Sequence, residues 1–417
     1  MYLTHLSLTN FRNIARLDLD IPRRVVLLTG ANAQGKTSVL EAIYFLAAFA
    51  SFQTSAERQL INTLAVSAAA EAERAKDGGR IAVARIVAQF RDNQDQRAHR
   101  LEVRLVLEPV GPVNGQRLRK EVLLDGVKRQ VNDAVGHFNA VLFIPQMSQI
   151  IEGGPDERRR YLNLTLAQVF PGYAHALSAY TKAIEQRNAL LKMLSERGGD
   201  ADQLEPWDRL LAEHGSKLIH WRIQAIQELE REAARVHHRL TRGAEVLRLA
   251  YDPAYDPSPR PGRQMSLKMD APVDRSGLKR EEIEKGFLER LAQARPEEIA
   301  RGVTTVGPHR DEMRFLANSV DLGDYGSRGQ VRTALLSLKL AEVEWMKTRT
   351  GRTPVLLLDE VLAELDLQRR ADLLAYVDGT EQALLTTTDL HLFTPEFVKD
   401  ANVWEVEGGV VRTQKEE

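Results

Sequence analysis

The amino-acid sequence predicts an α/β fold in which a long helical region separates two α/β parts of the chain. Three observations support this prediction. A glycine-rich loop at residues 30–38 lies between an apolar run and an amphipathic stretch, which is the strand–loop–helix order of a phosphate-binding loop. A second apolar run, at residues 355–358, ends in an acidic pair. Between these features, apolar residues over roughly 155–250 recur at helical spacing.

The glycine-rich loop fits the pattern G-x-x-x-x-G-K-[ST] at every fixed position. Gly30 and Gly35 allow the backbone to curl so that successive N–H groups point inward. We expect Lys36 to reach the β- and γ-phosphates and Thr37 to offer its hydroxyl to Mg²⁺. The predicted nucleotide contacts of the loop are Gly30, Ala31, Asn32, Ala33, Gln34, Gly35, Lys36, Thr37 and Ser38.

The acidic side of the site follows the apolar run at residues 355–358. A continuous apolar run indicates a central parallel strand covered on both faces, and open α/β sheets bind ligands beyond the carboxyl ends of such strands. We expect Asp359 to hold Mg²⁺ and Glu360 to polarise the water that attacks the γ-phosphate. Two solvated carboxylates at a strand end are the alternative.

A second helix start suited to anions lies at residues 325–330, before a helical pattern over 331–347. Ser327 is a typical helix cap, and Gly329 leaves the backbone accessible. One triphosphate does not need two such helix ends, so we interpret this segment as completing the site of a partner molecule. A Glu-Leu-Asp turn ending at Asp366 precedes another predicted helix at 367–377.

The phosphate loop, the Ser-x-Gly-Gln signature, the run Leu-Leu-Leu-Asp-Glu and the Glu-Leu-Asp turn together resemble an ABC-type ATPase head. The long separation between loop and signature resembles the SMC-related branch, in which an insertion splits the head. Four stretches are similar to the RecF family of recombinational repair proteins, namely residues 5–14, 145–163, 307–311 and 356–373. One position departs from the family pattern, because Gln146 stands where an acidic residue follows the proline.

The resemblance implies a mixed sheet that carries the phosphate loop, an antiparallel β subdomain and an inserted helical lobe. It implies ATP and Mg²⁺ as ligands, with Lys36, Glu360 and Gln146 as catalytic residues. The metal site would consist of Thr37, Asp359 and Gln146. For Gln146, which occupies the place of a metal-sensing glutamine in ABC heads, a plain loop residue is the alternative.

The same resemblance places Arg12 and Asn13 beside the adenine or the phosphates. It also implies that the signature and the Glu-Leu-Asp turn contact nucleotide. The further predicted contacts are Ser327, Gly329, Gln330 and Asp366.

The function implied by the resemblance is that of an ATP-dependent DNA-binding repair protein. Such a protein dimerises on ATP, binds duplex DNA and single/double-strand junctions, and hydrolyses ATP slowly with stimulation by DNA. It works with RecO and RecR to load RecA at gaps. The RecF-like function therefore predicts DNA, a second copy of the chain and these mediator proteins as partners.

Three other classes of protein remain open at this point. The nucleotide-binding motor of a transporter would have a much shorter gap between loop and signature, and a histidine where this chain has Thr386, Thr387 and Thr388. A metabolic phosphoryl-transfer enzyme would not need the Ser-x-Gly-Gln signature. A non-hydrolysing architectural protein would show no ATP turnover with or without DNA, and an SMC-like architectural ATPase is a related alternative.

Composition limits these classes further. The chain has 417 residues, of which 43% are hydrophobic, which is enough for two or three domains. No apolar run is long enough to span a bilayer and no signal peptide is evident, so we expect a cytoplasmic protein without membrane contact. It has no cysteine, which excludes disulfides and thiolate metal sites. The net charge of −1 provides no global attraction to DNA.

We predict three regions along the chain. Residues 1–150 form the first part of the head, with the phosphate loop and the antiparallel sheet. Residues 151–300 form the helical lobe, in which helices near 173–194 and 207–240 fold back on each other and one more helix lies near 281–295. Residues 301–417 form the second part of the head, with the signature and the acidic strand.

Several basic segments leave the DNA contacts open. Residues 85–129 carry more Lys and Arg than Asp and Glu on antiparallel-looking strands, which fits either a solvated sheet face or a DNA surface. The triplet at 158–160 either contacts DNA or pairs with neighbouring acids. The cluster His309-Arg310-Asp311 either contacts phosphate or forms an internal ion pair.

Overall fold

The computed structural model describes residues 1–54, 56–67, 81–93, 97–110, 115–258, 273–275 and 277–413. The chain divides into two compact units, Met1–Gln146 with Glu342–Glu417, and Met147–Ala341. The strands are β1 Tyr2–Phe11, β2 Ile14–Asp20, β3 Arg24–Thr29, β4 Ala82–Arg91, β5 Ala98–Val110, β6 Gly115–Leu124, β7 Val127–Arg129, β8 Ala140–Phe143, β9 Leu247–Asp252, β10 Glu312–Ala317, β11 Val320–Asp321, β12 Val355–Asp359, β13 Gln382–Thr387, β14 Asn402–Glu407 and β15 Val410–Thr413.

The helices are also numbered in chain order. They are α1 Lys36–Ala48, α2 Val131–Ala134, α3 Gln149–Glu152, α4 Pro155–Val169, α5 Tyr173–Arg197, α6 Glu205–Leu240, α7 Arg280–Arg301, α8 Leu322–Tyr325, α9 Arg328–Thr350, α10 Leu367–Asp378 and α11 Pro395–Asp400. Among the described residues, no helix is both long and apolar enough to cross a membrane.

The first unit contains a mixed sheet of order β15-β14-β3-β13-β12-β8, in which only β14 and β15 pair antiparallel. Every residue of β12 and β13 is buried, as expected for central parallel strands. The register pairs Asp359 with Thr386 and Thr387 with Thr29. The last residues of three strands therefore meet at one edge of the sheet, beside the phosphate loop.

The second sheet of this unit is antiparallel, with order β2-β1-β4-β5-β6-β7. Asp125 and Gly126 join β6 to β7 with positive φ angles of 50° and 80°, which is the hairpin turn typical of an Asp-Gly pair. Helix α1 contacts strands of both sheets and lies between them. Most of its residues are buried, which explains why it is apolar on nearly all sides.

The second unit is built on three long helices and a small antiparallel sheet of order β11-β10-β9. Helices α5 and α6 pack together as the sequence predicts, and α7 packs against both. A buried ionic cluster joins them: Arg187 of α5 contacts Asp208 of α6 at 2.7 Å and Glu298 of α7 at 2.6 Å. The sequence patterns did not predict this cluster, because it depends on which helix faces meet.

The boundary of the second unit differs from the predicted one. We expected the head to resume at residue 301, whereas residues up to Ala341 belong to the second unit. Strand β10 pairs with β9 across a long stretch of sequence. This pairing holds β10 and the residues after it in the second unit. Hydrophobic periodicity alone cannot detect a pairing between strands that are distant in the sequence.

Candidate nucleotide site

The phosphate loop depends on glycine at its first position. Gly30 has φ of 139°, and a Cβ there would lie 2.3 Å from the carbonyl oxygen of Val406. Another residue at this position would therefore be both strained and in collision with backbone. The loop is closed by Gln34, whose side-chain and backbone oxygens accept N–H groups of Gly408 and Gly409 at 2.7 and 2.8 Å.

Lys36 lies inside the loop and is 4% exposed. Its Nζ donates to the carbonyl oxygens of Gly30 and Ala31 at 2.6 and 3.1 Å. The same Nζ lies 3.2 Å from Oε1 of Glu360. A buried ammonium with these partners is a cation held at the position where the loop would receive phosphate.

Glu360 directly follows β12 and has a φ of 54°, which is uncommon for a residue with a side chain. Its backbone N–H donates to the Thr386 hydroxyl at 3.0 Å. Its Oε2 accepts the N–H of Thr388 at 3.3 Å. Backbone strain of this kind persists where surrounding contacts hold a residue in place, and it is frequent at functional sites.

Asp359 is the centre of a cluster of hydroxyl groups. Thr37 donates to its two oxygens at 2.9 and 3.0 Å, and Thr386 donates to Oδ1 at 2.7 Å. Burial raises the pKa of Asp359, while the hydrogen bonds from Thr386 and Thr37 oppose this shift. No local pattern assigns a role to Thr386, although a hydroxyl at the end of a neighbouring strand is a usable signal.

A hydroxyl and a carboxylate are hard oxygen donors of the kind that Mg²⁺ prefers. Mg²⁺ in phosphate sites is held by one or two protein groups together with phosphates and water, and Thr37 with Asp359 fits that donor set. No group of three or more His, Asp or Glu side chains that could form an all-protein metal cage occurs in the described part of the chain.

The phosphate loop opens into a cavity of about 670 Å³. Part of its wall is the loop itself with Glu360. The rest is formed by residues near the end of β1 and by a segment that follows α1. The lining residues are Arg12, Asn13, Asn32, Ala33, Gln34, Gly35, Lys36, Thr37, Ser38, Gln53, Gln59, Ile61, Asn62, Thr63, Leu64 and Glu360.

Arg12 and Asn13, predicted beside the nucleotide, both line this cavity. Asn13 accepts from the Ser38 hydroxyl at 2.8 Å, so it contacts the start of α1. Arg12 donates from Nε and Nη2 to the two carboxylate oxygens of Glu41, each at 2.7 Å. Glu41 is fully buried, and no motif in the sequence indicates its role.

The predicted signature caps helix α9 in the second unit. The Ser327 hydroxyl accepts from the N–H of Gln330 at 3.3 Å, and the Gln330 side chain accepts from the N–H of Ser327 at 3.0 Å. This reciprocal arrangement is a capping box. A Cβ at Gly329 would have no heavy atom within 4 Å, so packing within the chain does not require glycine there.

Two further predicted residues lie outside the cavity lining. Gln146 is exposed in the turn Pro145–Ser148 that follows β8. Because Phe143 pairs with Leu358, this turn starts at the same sheet edge as Asp359. Asp366 caps α10, accepting from the N–H of Arg369 at 2.9 Å and from its guanidinium.

The cluster His309-Arg310-Asp311 lies in the second unit, and Asp311 forms an internal ion pair. Asp311 is buried and accepts from Arg222 at 2.8 Å. The Tyr180 hydroxyl donates to Nδ1 of His309 at 2.8 Å, and Nε2 donates to a backbone carbonyl. Burial lowers the pKa of His309 to about 4, so its ring is neutral near pH 7.

The arginine triplet is also largely used within the second unit. Arg158 forms two hydrogen bonds with Glu312, at 2.6 and 2.9 Å. Arg159 donates to the Asp311 carbonyl oxygen at 2.7 Å and to Asp156 at 2.5 Å. The sequence left open whether the triplet contacts DNA or pairs with acidic groups of the protein. Arg158 and Arg159 both form pairs within the protein.

Comparison with known proteins agrees with this fold. The chain matches the family model described as RecF/RecN/SMC N terminal domain over residues 2–406. The protein of Roseiflexus castenholzii named DNA replication and repair protein RecF is 38% identical over 418 residues, covering 98% of this chain and 99% of that protein. A protein of the same name from Exiguobacterium sp. is 36% identical over 414 residues, covering 99% of this chain and 100% of that protein.

Solved structures are similar over the same length. One described as the recombination mediator protein RecF-ATPrS in the RecFOR pathway has a TM-score of 0.79 and 28% identity, covering 99% of this chain and 98% of that chain. Another, described as RecF-ATP in the same pathway, has a TM-score of 0.78.

The fold and the phosphate loop thus define an SMC-related ATPase head of the ABC type. More narrowly, this chain belongs to the RecF family of DNA replication and repair proteins. The predicted fold class and family are therefore confirmed.

Proposed function

We propose that this chain binds ATP with Mg²⁺ in the cavity of the phosphate loop and hydrolyses it slowly. The observation that carries the proposal is the meeting of Lys36, Thr37, Asp359 and Glu360 around one loop, through contacts of 2.9 to 3.2 Å. Similar proteins have been solved in structures described as RecF with ATP and ATPrS.

Each of these side chains has a distinct task. Lys36 neutralises the β- and γ-phosphates, and Thr37 with Asp359 would hold Mg²⁺, which neutralises charge on the phosphate oxygens when bound. Glu360 accepts hydrogen bonding from the attacking water and orients it. Thr386 keeps Asp359 and the Glu360 backbone in fixed relation, because its hydroxyl bonds to both.

Dimerisation on ATP is the second part of the proposal. Ser327, Arg328 and Gly329 are exposed at the start of a long helix, where the positive end of the helix dipole attracts anions. Space around Gly329 is open within the chain, so the missing side chain leaves room for close approach by another molecule. A second copy that supplies its bound γ-phosphate fits this requirement.

DNA binding is the third part, and the antiparallel sheet supplies a surface for it. Glu102 accepts from Arg85, Arg100 and Arg104, so these side chains share one face. The carboxylate is 6% exposed, whereas the three cations are 36%, 50% and 41% exposed. Arg119 lies on the neighbouring strand with similar exposure. The face therefore presents guanidinium groups around the buried carboxylate of Glu102, which suits a phosphate backbone.

We infer a role in recombinational repair from these parts together. A dimer closed by ATP would bind duplex DNA and single/double-strand junctions, hydrolyse ATP faster on DNA, and act with RecO and RecR in loading RecA at gaps. A protein with nearly neutral net charge, −1, needs dimerisation to align two modest basic faces along one duplex. Affinity for DNA should therefore depend on ATP.

The test is fluorescence anisotropy of a labelled gapped duplex, titrated with protein in ATP or ADP at several salt concentrations. We expect tighter binding with ATP and a log-linear loss of affinity with salt, because each neutralised phosphate releases counterions. Arg100→Gln together with Arg119→Gln should reduce the salt slope, while Arg314→Gln on β10 of the second unit serves as a matched control. Equal affinity with both nucleotides, or a flat salt response, would contradict the proposal and favour an architectural ATPase.

A further inference from the structure

The nucleotide cavity has two kinds of wall. Residues 32–38 and Glu360 surround the place for phosphates, whereas the remaining wall consists of Arg12, Asn13 and a segment after α1 that contributes Gln53, Gln59, Ile61, Asn62, Thr63 and Leu64. A triphosphate held by the loop leaves the nucleoside against this second wall. The described part of the segment, 51–54 and 56–64, includes a short 3-10 turn, Glu57–Leu60.

Such a segment needs anchors, because it is not part of either sheet apart from a single bridge between Ile61 and Phe11. One buried carboxylate supplies the main anchor. Glu41 accepts two hydrogen bonds from Arg12 at 2.7 Å each and one from the Ser51 hydroxyl. Ser51 in turn accepts the N–H groups of Gln53 and Thr54 at 3.0 and 3.2 Å.

Arg12 extends this anchoring to the rest of the segment. Its Nη1 donates to the Gln59 carbonyl oxygen at 3.2 Å, and its backbone N–H donates to the Leu60 carbonyl oxygen at 2.8 Å. Its own carbonyl oxygen accepts from Asn62 at 2.8 Å. Arg12 has a φ of 53°, a costly conformation for a residue with a side chain, which surrounding contacts must maintain.

We propose that Glu41 is a positioning residue that holds Arg12 and the segment after α1 as the nucleoside-binding wall of the site. Glu41 therefore strengthens the binding of the nucleoside part of a nucleoside triphosphate. The binding of the phosphate part does not depend on it. The inference rests on the proposed binding of ATP. Its basis is a fully buried carboxylate whose hydrogen-bond partners among the described residues are Arg12 and Ser51, which belong to the wall and its segment and lie outside the phosphate loop.

The experiment compares ATP with inorganic tripolyphosphate, which has the phosphates but no nucleoside. Both are titrated against a fluorescent ATP analogue by displacement, with wild type, Glu41→Gln and Ser51→Ala. The amide of Glu41→Gln keeps the shape but loses the charge that holds Arg12. We expect Glu41→Gln to weaken ATP at least about tenfold and to change tripolyphosphate by less than about twofold. Ser51→Ala should also weaken the affinity for ATP, by a smaller factor, and should leave the affinity for tripolyphosphate nearly unchanged.

Two controls separate the possible failures. Glu312→Gln breaks an equivalent bidentate pair with Arg158 in the second unit and should change neither affinity. Lys36→Met should weaken the binding of both ATP and tripolyphosphate. Unchanged affinities in this variant would contradict the proposal that the phosphate loop binds the triphosphate. If Lys36→Met behaves as expected but Glu41→Gln weakens both ligands equally, or neither, the positioning role is overturned. If Glu41→Gln does not fold, Ser51→Ala becomes the test. Equal effects of Ser51→Ala on the affinities for ATP and tripolyphosphate would then overturn the positioning role.

Discussion

The Thr37 hydroxyl donates to both carboxylate oxygens of Asp359, although the two residues are 322 positions apart in the chain. Thr37 belongs to the phosphate loop and Asp359 ends strand β12. Parallel pairing through β13 brings the end of β3, which leads into the loop, and the end of β12 to one edge of the sheet. The contact joins the two halves of a nucleotide site within one unit.

Lys36→Met should lower the affinity for ATP by about tenfold or more, because a charge-assisted contact to phosphate is worth more than about 1.4 kcal/mol. Isothermal titration calorimetry measures the loss directly. Lys399→Met, at an exposed position, is the matched control and should bind ATP as wild type does. Unchanged affinity in Lys36→Met would mean that the loop does not bind the triphosphate.

Glu360→Gln should keep ATP affinity and reduce turnover by about a hundredfold, because an amide polarises water poorly. Glu360 also lies 3.2 Å from Lys36 Nζ, so removal of its charge frees the lysine for phosphate and should leave binding equal or tighter. Single-turnover hydrolysis and calorimetry measure the two effects separately. Hydrolysis at the wild-type rate would place water activation elsewhere.

Gly329→Ala should not destabilise the protein, because the added Cβ meets no heavy atom within 4 Å and alanine favours a helix over glycine by up to about 1 kcal/mol. The same methyl group should weaken ATP-dependent dimerisation if a second copy approaches this point. Urea unfolding gives the first quantity, and sedimentation velocity with a slowly hydrolysed analogue gives the second. Dimerisation as strong as in wild type would argue against that interface.

Ser327→Arg should bind ATP normally yet stay monomeric, because its long side chain fills the space at the exposed start of α9 that the partner's nucleotide would approach, and because the capping box is lost. The loss of the cap costs about 1 kcal/mol of stability. Mixing Ser327→Arg with Lys36→Met subunits allows one intact composite site per dimer. We expect the mixture to hydrolyse more ATP than either variant alone, and the absence of this gain would contradict a site completed by the partner.

The carboxylate of Glu102 predicts a pH-dependent contribution to stability. Hydrogen bonds from Arg85, with help from Arg104, lower the pKa of Glu102 from 4.5 to about 2, against the opposing effect of burial. The ionised form is therefore favoured in the folded state, so its contribution is complete above about pH 5 and is lost as the pH falls from 4.5 towards 2.

Glu102→Gln should accordingly be less stable than wild type at about pH 7, and the difference should shrink as the pH falls below about 4.5. Urea unfolding midpoints at a series of pH values measure this. Glu405→Gln, which replaces an exposed carboxylate on β14, should give a pH-independent difference near zero. A gap between Glu102→Gln and wild type that stays constant with pH would contradict the assignment.

Much of the site could be predicted from local patterns. The nine residues of the phosphate loop, the apolar strand before Asp359 and the Asp-Gly turn each have a signature within a few residues. That is because their conformations are set by local backbone chemistry and by burial. Ser327 is predicted as a helix cap in the same way, since capping is a contact between neighbours in the sequence.

Long-range contacts could not be predicted in this way. Glu41 looks like any acidic residue on a helix, and only the tertiary structure buries it against Arg12 and Ser51. Thr386 acquires its role because β12 and β13 pair in a particular register. The cluster around Arg187 arises where three helices meet.

The sequence by itself therefore determined the class of site, the order of its motifs and the family resemblance, because each is set by residue types at short spacing. The tertiary structure alone decided which distant side chains complete the nucleotide cavity and where the helical unit ends. It also decided that Asp311 serves an internal ion pair. These properties depend on strand register and on the packing of helix faces, which bring together residues that no local pattern connects.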